Sequence, residues 1–139
     1  MNRKSFLRQG RKIPYSLSFL RRLDEACAQR NSRKSFFAID NTGNIHAAVY
    51  VVWDQFSAYY LMGGGDPKYR TSGAHSLLLW ETIKFTSKFV SSFNFEGSMI
   101  EPVERFFRAF GAEQKPYFNI TRVDSKVLKT LFAGLSILR

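Results

Sequence analysis

The first clear pattern in the chain is an amphipathic helix. Apolar residues recur three or four positions apart, at Leu17, Leu20, Leu23 and Cys27. Charged residues occupy the other faces, as is typical of a helix with one buried stripe. Ser16 precedes the pattern and can accept a hydrogen bond from the first helical turn. The spacing therefore predicts a helix over Leu17–Gln29.

A β-rich region follows this helix. Runs of β-branched and aromatic residues predict three strands, at Phe36–Asp40, Ile45–Trp53 and Ala58–Met62. The loop Asn41–Asn44 contains Gly43 and separates the first two runs, which is a hairpin signal. We therefore expect an antiparallel meander.

Helices and strands alternate in the rest of the chain. A helix capped by Ser72 is predicted to run to Phe89, and Pro102 and Gly111 bracket a later one. The other predicted elements are a strand at Phe93–Gly97, a helix at Val103–Phe110, a strand at Gln114–Val123 and a helix capped by Asp124 or Ser125. This order predicts an α+β fold with a mixed, mostly antiparallel sheet and helices on both faces.

Composition limits the class of protein. The 139 residues are 45 % hydrophobic and 16 % aromatic, which suits one folded domain. Cys27 is the single cysteine, so a reducing compartment is expected, and with no histidine partner at hand it is a core thiol rather than a nucleophile. His46 has no ligand at metal-binding spacing, so no metal site is expected. No apolar run is long enough to span a bilayer, which predicts a cytoplasmic protein without a transmembrane segment.

Positive charge is concentrated near the start of the chain. The net charge is +10, and residues 1–34 hold ten Lys and Arg against two acidic residues. Such a surface suits a nucleotide cofactor, RNA or a membrane surface, or it serves only solubility. Five residues are expected to form an anion-facing surface: Arg21, Arg22, Arg30, Arg33 and Lys34. We expect only weak RNA binding, because no aromatic residues are interleaved with these charges.

The stretch Tyr59–Trp80 indicates a ligand site. It contains three consecutive glycines, at positions 63–65, a loop with Lys68 and Arg70, and the start of an apolar helix. Glycines allow close approach of backbone, and a helix start offers N–H groups and a positive dipole end to phosphate. The alternative is a bend that simply requires glycine.

Several segments carry a resemblance to a known family. The run Arg70-x-x-Gly73-Ala74 resembles the acyl-CoA pyrophosphate loop of GNAT acyltransferases. Four further runs are similar to the C-terminal GNAT domain of Fem-type proteins, namely Ser76–Glu81, Phe93–Met99, Phe106–Ala112 and Lys115–Phe118. Fem-type proteins include the peptidoglycan bridge-forming aminoacyltransferases, the methicillin resistance factors. The similarity runs from about Gly10 to Arg122.

This resemblance implies a fold and an activity. It implies a single GNAT-like domain over residues 1–139, with 124–139 as a C-terminal helix. The chain would be either freestanding or the second half of a two-domain Fem-type protein. The implied activity is N-acyl transfer from acyl-CoA or aminoacyl-tRNA to an amino group, with a peptidoglycan precursor as one acceptor. The alternative is a non-catalytic binding module, in which Phe and Tyr side chains fill the cofactor cleft.

The resemblance also implies site residues. The cofactor-binding residues would be Lys68, Arg70, Thr71, Ser72, Gly73, Ala74 and His75. His75 departs from the pattern, which has a small residue after the loop. Its imidazole would either crowd the phosphates or face solvent at the helix start.

Two catalytic candidates follow. Glu96 ends a strand and would be a general base if its pKa were raised, or else would hold the following turn. Tyr117 would be a proton donor, or else a packed aromatic of the last strand. Asn94 stands where family members carry Asp, which removes one acid. The sequence contains no Ser/His/Asp order, P-loop or zinc spacing.

Overall fold

The computed structural model describes residues 15–97, 100–116, 118, 120, 122, 124 and 125. Its first element is helix α1, Leu17–Gln29, with the predicted bounds. Ser16 caps it, because its Oγ accepts a hydrogen bond from the Phe19 N–H at 3.1 Å. Strands β1 (Arg33–Ile39), β2 (Ile45–Trp53) and β3 (Ser57–Gly65) then form the predicted antiparallel meander.

The triple glycine lies in a strand and not in a loop. Residues 63–65 complete β3 and pair with Val49, Ala48 and Ala47 of β2. The prediction that β3 ends at Met62 was therefore wrong. The strand propensity of glycine is low, but the ladder to β2 supplies the hydrogen bonds that keep these residues extended.

The second half of the fold crosses over to a parallel strand. A 3-10 segment, Pro67–Ser72, leads into helix α2, Ala74–Thr86. Strand β4, Ser92–Asn94, then pairs in parallel with β3, and helix α3 spans Glu101–Arg108. The sheet order is β1-β2-β3-β4 among the described residues.

Several predicted boundaries moved. Helix α2 starts after Gly73 instead of Ser72, because Gly73 takes the left-handed conformation that ends the 3-10 segment. It ends at Thr86, and a turn carries the chain on to Phe89. Strand β4 is shorter than predicted, since its pairing with β3 covers only three residues. The prediction of a strand over Gln114–Val123 was wrong where the structure describes it, since none of residues 114–116, 118, 120 and 122 is in a strand. The final helix lies outside the described residues, beyond Ser125.

Helices cover both faces of the sheet, as predicted. Neighbouring strand residues point to opposite faces, and β2 shows this at Val49 and Tyr50. Val49 is buried with Leu78 and Leu79 of α2 in the hydrophobic core. Tyr50 faces α1, where its hydroxyl donates a hydrogen bond to Asp24 Oδ1 at 2.9 Å. In the part of the chain described here, no helix is long and apolar enough to cross a membrane.

Candidate functional site

The β3 strand contains a bulge next to the point where it parts from β4. Tyr50 pairs with Met62 and Val51 pairs with Tyr60, which leaves Leu61 without a partner in β2. On the other side, the parallel ladder with β4 ends at the pair Tyr59 and Asn94. The β3 backbone beyond Tyr59 therefore has no ladder to β4. A bulge beside a separating strand pair is a frequent setting for a binding site.

The bulge also changes which residues share a face. In a regular strand, residues 60 and 63 would point to opposite faces, but the extra residue at 61 places them on the same one. The structure shows this directly, because a Cβ built on Gly63 would lie 2.7 Å from Cε2 and 2.8 Å from Cζ of Tyr60. Tyr60 thus lies along β3 in space that only a glycine at position 63 leaves open.

The turn after β3 presents the start of α2. Asp66 caps the 3-10 segment by accepting a hydrogen bond from the Lys68 N–H at 3.0 Å. Gly73 has φ of +67°, and the α-helical ladder begins with the bond from Leu77 N–H to Gly73 C=O at 3.0 Å. The N–H groups of the first turn precede this ladder and carry the positive end of the helix dipole.

A cavity of about 270 Å³ opens at this helix start. Its wall combines the end of β3, the 3-10 segment, the first turn of α2 and one side chain of α3. The residues that line it are His46, Gly65, Asp66, Tyr69, Arg70, Ser72, Gly73, Ala74, His75, Ser76 and Phe106. An arginine, two histidines and two serine residues converge there with a helix N-terminus, which is a setting that favours an anion.

His46 ties this loop to the β1–β2 hairpin. Its ring stacks on Tyr69 with centroids 3.9 Å apart, and its Nε2 lies 3.0 Å from Asp40 Oδ2. Hydrogen bonds from the Asn44 and Thr42 side chains, with a further contribution from His46, hold the pKa of Asp40 well below its usual range. The His46 carbonyl also accepts from the Asp66 N–H at 2.7 Å. The sequence did not predict that His46 links Asp40 of the hairpin to Tyr69 of the 3-10 segment, although the hairpin loop brings positions 40 and 46 together.

His75 does not face solvent. Its Nε2 lies 3.2 Å from the Tyr60 hydroxyl, and its ring stacks on Phe106 at 5.4 Å between centroids. Tyr60 in turn meets Phe107 edge-on at 5.8 Å, and Phe107 lies 4.9 Å from Phe95, beyond β4. Burial raises the pKa of Tyr60. These aromatic side chains therefore pack against one another on the α2 and α3 side of β3, near the point where β3 and β4 part.

The predicted cofactor residues divide into two groups. Five of them line the cavity, namely Arg70, Ser72, Gly73, Ala74 and His75. Lys68 and Thr71 are exposed and do not line it. The Lys68 ammonium instead lies 5.1 Å from the centre of the Tyr69 ring.

Of the two catalytic candidates, Glu96 does not line the cavity. Glu96 is exposed at φ of +62°, and its N–H donates to Asn94 Oδ1 at 2.7 Å. In the described region the Asn94 side chain, and not the Glu96 carboxylate, thus holds this turn. Tyr117 lies outside the described residues. Among the residues that the structure describes, no three His, Cys, Asp or Glu side chains cluster as metal ligands.

The basic residues near α1 do not form one surface. Arg33 pairs with Asp24 on the α1 face, with Nε 2.8 Å from Oδ1. Lys34 points to the other face, where its ammonium lies 4.0 Å from the centre of the Phe85 ring of α2. The expected set of five is therefore split between the two sides of the sheet.

A second groove, of about 280 Å³, lies on the α1 face of the sheet. Its lining comprises Leu20, Arg21, Asp24, Glu25, Tyr50 and Met62. Met62 follows the bulge residue Leu61 directly, so this groove reaches β3 beside the bulge but from the face opposite Tyr60. Burial, and secondarily the hydrogen bond to Asp24, raises the pKa of Tyr50. The groove thus reaches the bulge from the α1 face, whereas the cavity at the α2 start contacts β3 at Gly65.

The fold is shared with several solved acetyltransferases. Aminoglycoside 6'-N-acetyltransferase AAC(6')-Ih from Acinetobacter baumannii matches with a TM-score of 0.61 and 13% identity, over 81% of this chain and 84% of that one. Glucosamine-6-phosphate N-acetyltransferase from Arabidopsis thaliana gives 0.58 and 14%, over 87% and 88%. An acetyltransferase of Trypanosoma brucei gives 0.56 and 17%, over 81% and 82%. At these identities the likeness concerns the fold alone.

The sequence itself matches a family. No protein of curated function matches it. The model of the acetyltransferase (GNAT) domain does match, over residues 2–95, which is well over half of the chain. Members of this family use acetyl-CoA as the acyl donor, whereas the Fem-type subfamily stays a prediction. Because this match covers more than half of the chain, the chain belongs to the GNAT acetyltransferases.

Proposed function

We propose that the protein is an N-acyltransferase that transfers an acyl group from acyl-CoA to an amine. One observation carries this proposal: the cavity at the α2 start and the bulge lie on the same strand-to-helix unit. The cavity begins at Gly65 and the bulge lies at Leu61, so one extended strand segment joins them. A donor with a phosphate end and a reactive end fits such an arrangement.

The cavity residues fit the phosphate end. Arg70 supplies a guanidinium, which binds phosphate through parallel hydrogen bonds, and the first turn of α2 supplies N–H groups. Gly73 faces open space, since a Cβ built there meets nothing within 4 Å. The Asp66 carboxylate also lines the cavity and opposes an anion there, so the Arg70 guanidinium and the helix terminus have to outweigh its charge.

The bulge suits the reactive end. Acyl-CoA supplies an activated thioester, and attack of the amine on its carbonyl requires a hydrogen-bond donor for the negative charge that develops on oxygen before the CoA thiol leaves. Leu61 has no partner in β2, and the adjoining edge of β3 has no ladder to β4. We infer that backbone N–H groups at Leu61 and its neighbours stabilise this oxygen. Glu96 and Tyr117 stay the candidates for moving protons.

The groove on the α1 face suits the acceptor. It contains the carboxylates of Asp24 and Glu25, which attract an ammonium group before it loses its proton. Asp24 is already bound by Arg33 and Tyr50, so Glu25 is the more available of the two. We infer that the amine binds here, which lets it reach the donor at the bulge from the other side of the sheet. A Glu25→Gln variant should raise KM for an amine acceptor several-fold and leave KM for acetyl-CoA unchanged.

A donor titration tests the proposal. Calorimetry with coenzyme A should give saturable heat, and an Arg70→Ala variant should bind at least tenfold more weakly, because a charge-assisted contact to phosphate is lost. An Arg105→Ala variant is the control, since Arg105 pairs with Glu101 on the exposed face of α3. If coenzyme A gives no heat while an aminoacyl-tRNA binds, the donor is the tRNA, as in the Fem-type version with a peptidoglycan precursor as acceptor. If neither coenzyme A nor an aminoacyl-tRNA gives heat of binding, the enzyme proposal is refuted.

A second candidate function is a non-catalytic binding module. The observation that favours it is the aromatic filling around Tyr60, Phe95 and Phe107, together with His75 beside the cavity. Under this candidate the cleft never admits a thioester, and no acyl transfer occurs with any amine. Turnover of acetyl-CoA that depends on an added amine would exclude it.

A further inference from the structure

The Tyr60 hydroxyl and the His75 imidazole meet between the two ends of the donor site. Tyr60 directly precedes the bulge residue Leu61, and His75 lines the cavity at the start of α2. Their hydrogen bond of 3.2 Å therefore joins the phosphate end of the site to its reactive end. A donor that extends from the cavity to the bulge along this face of β3 has to pass this pair.

Helix α3 supports both side chains from behind. Phe106 stacks on His75 and Phe107 contacts the edge of Tyr60, so consecutive residues of one helix hold the two members. Phe107 is almost fully buried, with 8% of its surface exposed, and Tyr60 packs against the core formed by Val49 and Leu79. The pair is thus packed in place and is not two loose surface side chains.

Gly63 sets the position of Tyr60. The ring occupies the space that a Cβ at residue 63 would fill. Gly63 is not among the residues with positive φ, so its backbone would accept an alanine, and the conflict would fall on the far end of the tyrosine. The closed position of Tyr60 therefore depends on a missing side chain on its own strand.

We propose that Tyr60 and His75 form a gate across the donor site, and that a thioester enters only when Tyr60 moves off Gly63. This inference rests on the proposed function and adds a control over donor entry. The gate predicts an effect of substitution on donor affinity that is opposite to the effect expected for binding residues. If Tyr60 and His75 held the donor, their loss would weaken its binding. Because they block the passage, loosening the pair should tighten binding.

Three variants test the gate with coenzyme A as the probe in calorimetry. Tyr60→Phe removes the hydrogen bond that holds the closed state and should lower Kd about fivefold, the worth of one such bond. Gly63→Ala adds the methyl group that displaces the tyrosine tip and should also lower Kd. Tyr59→Phe is the matched control, because Tyr59 directly precedes Tyr60 and its hydroxyl donates instead to Asp54 Oδ2, at 2.8 Å. This variant also removes one tyrosine hydroxyl and should leave Kd unchanged.

The outcomes separate the gate from the function. Tighter binding in both gate variants, with the control unchanged, supports the gate. Coenzyme A that binds the wild type and both gate variants equally, or binds the variants more weakly, overturns the gate and leaves the acyltransferase proposal standing. An absence of heat in all four proteins overturns the gate together with the acyl-CoA version of the proposed function. Thermal unfolding of each variant verifies that it is folded, and Tyr60→Phe decides the question alone if Gly63→Ala does not fold.

Discussion

Gly73 connects the 3-10 segment to α2 in the left-handed region, with φ of +67°. A side chain in that region costs about 1–2 kcal/mol through contact of Cβ with its own backbone. No clash adds to this cost in Gly73→Ala, because the added Cβ meets no other atom within 4 Å. For a domain of this size the expected loss corresponds to a fall in Tm of roughly 3–10 °C.

The same substitution should disturb the donor site. An alanine relieves its strain by moving φ toward negative values, which turns the N–H groups of the first α2 turn away from the cavity. We expect coenzyme A to bind at least tenfold more weakly. Gly111→Ala is the matched control, since Gly111 has φ of +82° and equally open space but lies after α3. It should lower Tm similarly and leave the affinity unchanged. Equal losses of affinity in both variants would show that the Gly73 turn does not shape the site.

Three further perturbations test the fold and the chemistry. Leu79→Ala removes a fully buried side chain and should lower the free energy of unfolding by about 3 kcal/mol in urea titration, while Leu77→Ala, 61% exposed, should cost under about 1 kcal/mol. The folded pKa of Asp40 lies below that of the unfolded chain, so its carboxylate stabilises the fold above about pH 4 and loses this effect on acidification. Asp40→Asn should therefore flatten the fall of Tm between about pH 5 and pH 2 in scanning fluorimetry. Glu96→Gln should lower kcat about a hundredfold if Glu96 is the general base, and unchanged turnover would leave it no role in the chemistry.

The regular elements could be predicted because local signals determine them. The apolar spacing and the Ser16 cap of α1, and the Asn41–Asn44 hairpin, act within a few residues, and both were confirmed. The end of β3 could not be predicted in the same way. Three glycines indicate a loop locally, but pairing with β2 over-rode that preference. The predicted length of strand β4 was too great because its length depends on how far β3 stays paired with it, and that pairing covers only three residues.

The cavity residues were named through the resemblance of Arg70-x-x-Gly73-Ala74 to the GNAT pyrophosphate loop, and the structure places five of the named residues around the cavity. The conformational freedom of glycines 63–65 did not indicate the cavity correctly, because these residues lie in β3 and not in a loop. The bulge at Leu61 has no such signature, since it arises from the register between two strands. The contact between Tyr60 and His75 spans fifteen positions and depends on that register, so no local pattern indicates it.

The proposed donor and acceptor sites lie on opposite faces of the sheet, and this separation indicates which residues determine acceptor specificity. The proposed donor side combines the Arg70 guanidinium with backbone groups, a helix terminus and the open space at Gly73. The groove on the α1 face is instead lined by side chains of α1 and by Tyr50 and Met62. Because side chains alone distinguish one amine from another, we expect exchanges in this groove to change the acceptor and exchanges at the α2 start to change donor affinity.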